Sequence, residues 1–189
     1  MPDPQQRMMA LLNRLAPSEG STLSALDGVK FMRANRPIPR MPVLYEPCIV
    51  IVCSGRKRGY LGGQSYVYDA QQFLVMSVPL PFEGETELAS EAEPMLAVSI
   101  RIDLQMAAEL MLAVEQSGAA IAAEPKGIIS TPMDPRLCDA VLRLLEALTT
   151  PLETQLLAPG VMREILYRVL TGVQGGSLRA ALALSLIHI

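Results

Sequence analysis

The sequence predicts an α+β fold, an antiparallel β-barrel or jelly roll of two facing sheets followed by a helical segment. Three observations lead there. Residues 21–102 break into short runs rich in Val, Ile, Tyr and Leu separated by Gly, Pro and Asp, the alternation of strands with turns. After Ile102 the apolar residues recur at helical spacing. The chain has 189 residues, 50% of them hydrophobic, which suits one ordinary domain or two small ones.

Each element has its own signal. Asp3 followed by Pro4 is a helix cap and a favoured first helical residue, and Met8, Leu11, Leu12 and Leu15 follow at helical spacing before Pro17 ends the run. Val43 to Cys53 is apolar on both alternating faces, as expected of one strand between two layers. Ser54-Gly55 turns the chain. Arg58–Leu61 and Gln64–Tyr68 flank Gly62-Gly63, a pair able to take the positive φ angles of a tight hairpin. Gln72 to Val78 is the next strand. In Met95 to Ile102, Leu96, Val98, Ile100 and Ile102 share one face while Ala97, Ser99 and Arg101 share the other. Asp103 then caps a helix over 103–117, and a brief extended piece spans Gly127 to Ser130. Asp134-Pro135 opens a helix over 134–149, in which Leu137, Val141, Leu144 and Leu148 make a seam with coiled-coil spacing. Pro151 and Pro159-Gly160 punctuate two more helical pieces before Gly172, and Gly175-Gly176 reads as a linker leading into an apolar tail.

Composition narrows the function. Lys plus Arg number 16 against 19 Asp plus Glu, a net charge of −3, so this chain has no excess of positive charge for binding DNA by itself. Its single histidine, His188, stands next to the last residue, which leaves the body without a histidine-based metal site or catalytic pair. No metal, cofactor or catalytic residue is expected. Three cysteines, Cys48, Cys53 and Cys138, have no metal-type spacing and read as buried thiols. The N-terminus lacks the apolar core of a secretory signal and no run is long enough to span a membrane, so a cytoplasmic protein without membrane contact is expected. Nucleophile-elbow, P-loop and dinucleotide motifs are absent.

The aromatic residues of the β half suit a small-molecule pocket, where a few polar tips orient an otherwise apolar guest. The candidates are Tyr45, Tyr60, Tyr66, Tyr68 and Phe82, with Arg33 and Arg101 as charged contacts and Pro79–Glu83 as a stiff rim. The same rings would serve a plain core, and a structural ion pair with Glu46 or Glu83 is the use to expect first of Arg33. The run Arg56-Lys57-Arg58 reads as a solvated sheet edge, and Glu83, Glu85 and Glu87 as one exposed strand face.

Three strings go further: Leu44-Tyr45-Glu46-Pro47, Gly55-Arg56-Lys57-Arg58-Gly59-Tyr60 and Pro79-Leu80-Pro81-Phe82-Glu83. With their surroundings they resemble the N-terminal domain of AraC-type bacterial transcription regulators over about residues 7–175. The resemblance implies a cupin-like barrel that senses a small effector, helices that form a homodimer, and DNA binding by a C-terminal domain with two helix-turn-helix motifs. On that reading residues 1–102 are the first helix and barrel, 103–172 a helical dimerisation segment, and 173–189 the start of a linker and a partly foreign tail, the DNA-binding domain being cut off. Leu137, Val141, Leu144 and Leu148 are the candidate dimer face, packing against the barrel being their other use. The alternatives are a dimerisation module with a filled barrel, and a metal-independent cupin isomerase.

Overall fold

The computed structural model describes residues 1–76, 81–119 and 130–187. Helix α1 (Pro4–Leu15) precedes nine strands: β1 (Gly20–Leu23), β2 (Val29–Ala34), β3 (Ile38–Leu44), β4 (Cys48–Ser54), β5 (Arg56–Leu61), β6 (Gln64–Asp69), β7 (Gln72–Met76), β8 (Pro81–Leu88) and β9 (Met95–Arg101). Then come α2 (Leu104–Gln116), the two-residue β10 (Thr131–Pro132), α3 (Pro135–Ala147), α4 (Pro151–Leu156), α5 (Ala158–Thr171) and α6 (Gly175–Ile187). The strands form a six-stranded sheet in the order β1-β2-β9-β4-β7-β10 and a four-stranded sheet in the order β3-β8-β5-β6, antiparallel throughout. This is a cupin-like double-sheet barrel with helices added.

The central strands of the larger sheet, β4, β7 and β9, are buried on both faces. Along β4, Cys48, Val50 and Val52 point into the barrel, where they meet Tyr68 and Phe82 of the smaller sheet. Ile49, Ile51 and Cys53 point outward, into a core completed by Met8 and Leu12 of α1 and by the apolar stripes of α3 and α5. Strand β9 alternates in the same way, with Ala97 inward and Leu96, Val98 and Ile100 outward. A strand with two buried faces is apolar at nearly every position, and β4 is.

The helix caps form as the residues dictate. The Asp3 carboxylate accepts from the Gln6 amide and the Gln6 side chain accepts from the Asp3 amide, a reciprocal capping box. Asp103 and Asp134 cap α2 and α3, Asp134 accepting from the Arg136 and Leu137 amides. The Gly62-Gly63 hairpin has φ of 58° and 78° and joins β5 to β6 in the expected register.

Several expectations are corrected. Val43 to Cys53 is not one strand. Tyr45, Glu46 and Pro47 lie between β3 and β4 and carry the chain from the smaller sheet to the larger, Pro47 having no amide hydrogen to extend a ladder. Gly175-Gly176 is no linker but the first turn of α6, whose Leu178 and Leu182 are buried in the helical core. The seam residues Leu137, Val141, Leu144 and Leu148 are 3%, 0%, 0% and 6% exposed, because α3 turns that stripe onto the chain's own core. They are unavailable to a partner. Arg56-Lys57-Arg58 is no sheet edge, since β5 lies between β8 and β6. The strand expected over 72–78 is described as far as Met76; the piece expected over 127–130 lies outside the described residues except for Ser130, as do Pro79, Leu80 and His188. Among the described residues no helix is long and apolar enough to cross a membrane.

Candidate functional site

The barrel centre is filled by Tyr68, Phe82, Leu74 and Met76, and one end stays open. There the β1–β2 turn, the β3–β4 crossing and the end of β9 enclose a cavity of about 420 Å³, lined among others by Lys30, Tyr45, Glu46, Cys48, Ser99 and Arg101. Its size falls within the range of small-molecule sites.

Local sequence shapes this mouth. Gly28, at φ +85°, lets the β1–β2 turn close against β9, and its carbonyl accepts from the Arg101 amide at 2.8 Å. The Arg101 guanidinium holds Asp27 at 2.6 Å on the rim. The Pro47 carbonyl accepts from the Ile102 amide at 3.0 Å, fixing the crossing that presents Tyr45. Behind it the Tyr45 ring meets Phe82 edge-on, with centroids 5.4 Å apart and planes at 75°.

Polar groups converge on the cavity floor. Tyr68 stands behind Tyr45, near enough for each hydroxyl to affect the titration of the other. Burial pushes Tyr45 up to about 12 and Tyr68 well above the ordinary tyrosine value. Burial raises the Cys48 thiol to about 11 and outweighs the lowering influence of the neighbouring Ser99 hydroxyl, so the thiol stays protonated near neutrality. Such a floor can orient a guest by hydrogen bonds, and it contains no group poised to exchange protons near neutral pH. Among the described residues no cluster of His, Cys, Asp and Glu could hold a metal ion.

The seven predicted contact residues divide. Tyr45 and Arg101 line the cavity, with Tyr68 and Phe82 directly behind Tyr45. Tyr66 takes an inward position of β6 near the hairpin, where its hydroxyl donates to Gln64 at 3.0 Å. Tyr60 lies on the outer face of the smaller sheet, bonded to Glu85 and covered by the Arg40 guanidinium 3.8 Å above its ring. Arg33 is outside the barrel too. It shares the helix-facing side of β2 with Val29 and Phe31, and it donates to the Ala16 carbonyl at 3.1 Å and to Asn13 at 3.0 Å, closing the end of α1. Neither predicted acid takes it, since Glu83 pairs with Arg40. Lys30, Cys48 and Ser99 were not among the predicted contacts. Their signal was alternation: Ser99 shares its face with Arg101, and Lys30 shares its face with Met32 and Ala34.

A double-sheet barrel with an open mouth, backed by a helical layer, defines a cupin-like domain. Residues 25–177 match the sequence model described as the AraC-type transcriptional regulator N-terminus, and the chain belongs to this family. Among solved structures, an apo ToxT variant from Vibrio cholerae superposes with a TM-score of 0.54 at 9% identity, covering 85% of this chain and 59% of that one. The AraC-like transcriptional activator CuxR gives 0.46 at 14% identity over 86% of this chain and 61% of its own. The Drosophila melanogaster CENP-C cupin domain gives 0.34 at 12% identity over 54% and 100%. This chain thus spans less than two thirds of the length of either regulator. No curated protein matches the sequence.

Proposed function

We propose that the chain is the effector-sensing, non-enzymatic part of a cytoplasmic AraC-type regulator, with a small molecule bound at the barrel mouth against Tyr45, Ser99 and Arg101. One observation carries this reading. The cavity opens on the inward faces of strands whose outward faces support the helices, as in β4, where Cys48 lines the cavity and Ile49 packs under the helical layer. A guest can then favour one arrangement of the helices over another, provided it binds the two unequally. Residues 1–102 serve as sensor and 103–172 as the pairing segment of a homodimer, while DNA contact belongs to a separate C-terminal domain of the regulator.

For pairing, the helical half offers Leu152 and Leu156, four residues apart on α4 and 65% and 66% exposed. Replacing both by Glu should leave the chain monomeric and folded in analytical ultracentrifugation; a variant that still dimerises removes this face. For sensing, native mass spectrometry and a thermal-shift screen of metabolites should find a compound that raises the melting temperature, because a ligand of the folded state stabilises it. A screen in which nothing binds favours the second reading, a pairing module without a ligand, which the filled barrel centre supports.

A further inference from the structure

The barrel sorts its charges by face. On the outer side of the smaller sheet Glu83 pairs with Arg40 at 2.9 Å, Glu85 and Glu87 meet Arg58 and Tyr60, and Asp69 meets Arg56 at 3.5 Å. The described residues include two lysines, Lys30 and Lys57, and both occupy inward positions. Lys30 stands opposite Ser99 across β2 and β9 and lines the mouth cavity. Lys57 stands opposite Tyr68 and Thr86, on the same side of β5 as Gly59 and Leu61, so its stem enters the barrel while Arg56 and Arg58 point away. Among the described residues neither ammonium makes a hydrogen bond or ion pair. Burial also lowers the Lys57 pKa, as expected of a cation with nothing to balance it. Of the two carboxylates at the rim, Asp27 is held by Arg101, and Glu46 is exposed.

A chain of net charge −3 has therefore placed a partly buried lysine, Lys57, inside its barrel and an exposed one, Lys30, at the mouth. An unpaired cation on a partly desolvated wall, as at Lys57, costs stability, and a negative guest offsets that cost; at the mouth the exposed Lys30 ammonium is free to meet a negative group directly. We propose that the ligand of the mouth cavity is a small organic monoanion. Lys30 holds its negative group, the Ser99 and Tyr45 hydroxyls complete the seat, and Lys57 adds to the favourable field from the opposite wall. Glu46 at the rim disfavours a second negative group. The proposal rests on the effector reading above and names the class of ligand.

The experiment is a thermal-shift screen of the full chain with carboxylates of increasing size, each run beside its neutral amide, butyrate with butyramide and benzoate with benzamide among them. Pairs that respond are followed by calorimetric titration. The carboxylates should bind about tenfold or more tightly than their amides, as expected when a charged hydrogen bond is lost. Lys30→Met should erase that difference, Lys30→Arg should keep it and Lys57→Met should reduce it; without ligand the two Lys30 variants should melt as wild type does and Lys57→Met at or above it. Amides that bind as well as carboxylates, or a preference that survives Lys30→Met, would overturn the monoanion while leaving the cavity a binding site. A wider metabolite screen in which nothing binds removes the effector reading and this proposal together.

Discussion

Gly59 marks the tightest point of the barrel centre, since a Cβ there would lie 2.0 Å from Cζ of Phe82. Gly59→Ala should cost about 1–3 kcal/mol in urea unfolding, and adding Phe82→Leu should recover part of the loss because the three atoms nearest the new methyl all belong to that ring. The buried hydroxyl and thiol groups set an alkaline limit. Tyr45 and Cys48 release their protons more readily in the unfolded chain, where they return to about 10 and 9, than in the fold, where burial holds them at about 12 and 11. Their contribution is complete below pH 9 and lost as the pH rises toward 12. Stability followed by circular dichroism should therefore begin to fall near pH 9, and Tyr45→Phe should flatten the upper part of that decline. At this scale the sequence was half legible. Alternation in Met95–Arg101 already separated Ser99 and Arg101 from the helix-facing residues, but parity alone does not say which face of a strand is inside. Tyr60 and Tyr66 were for that reason indistinguishable, and Lys57, flanked by two arginines, looked like a solvated charge until its partners Tyr68 and Thr86 placed it.

Among the elements, α3 shows how a pattern can be read correctly and assigned to the wrong surface. The spacing from Leu137 to Leu148 gives an apolar stripe whichever partner it meets, and the partner here is α5 together with α1. Leu144→Glu would bury a carboxylate at a site with 0% exposure. It should destabilise the chain by roughly 3 kcal/mol or more and give unfolded or aggregated protein instead of a folded monomer, which chemical unfolding would reveal. The caps and the hairpin were legible because Asp-Pro and Gly-Gly act within a few residues. The split between β3 and β4 was hidden for the opposite reason: a chain that changes sheets at Tyr45-Glu46-Pro47 stays apolar on both sides of the change. Only the pairing of Leu44 with Pro81 in one sheet and of Cys48 with Met76 in the other separates the two strands.

Taken as a whole, the molecule has two cores divided by one sheet. Val50 fills the barrel core and Ile51 the helical core, each at most 1% exposed. Because the same strands serve both, Val50→Ala and Ile51→Ala should each lower a single unfolding transition by about 2–4 kcal/mol, with far- and near-ultraviolet circular dichroism coinciding. Two separate transitions would show that barrel and helices unfold apart. The order of β half and helical half was legible from the change of period at Ile102. Their shared core was not, since it needs α1, from the start of the chain, lying on β4 and β9 beside α3. The same arrangement makes β4 a diaphragm. Cys48 touches the cavity, and Ile49, the next residue, touches the helical layer, so a push on the inner wall reaches the outer one across a single peptide plane. If the chamber takes the effector proposed above, a wall that thin would pass its occupancy outward without a hinge or a relay of side chains.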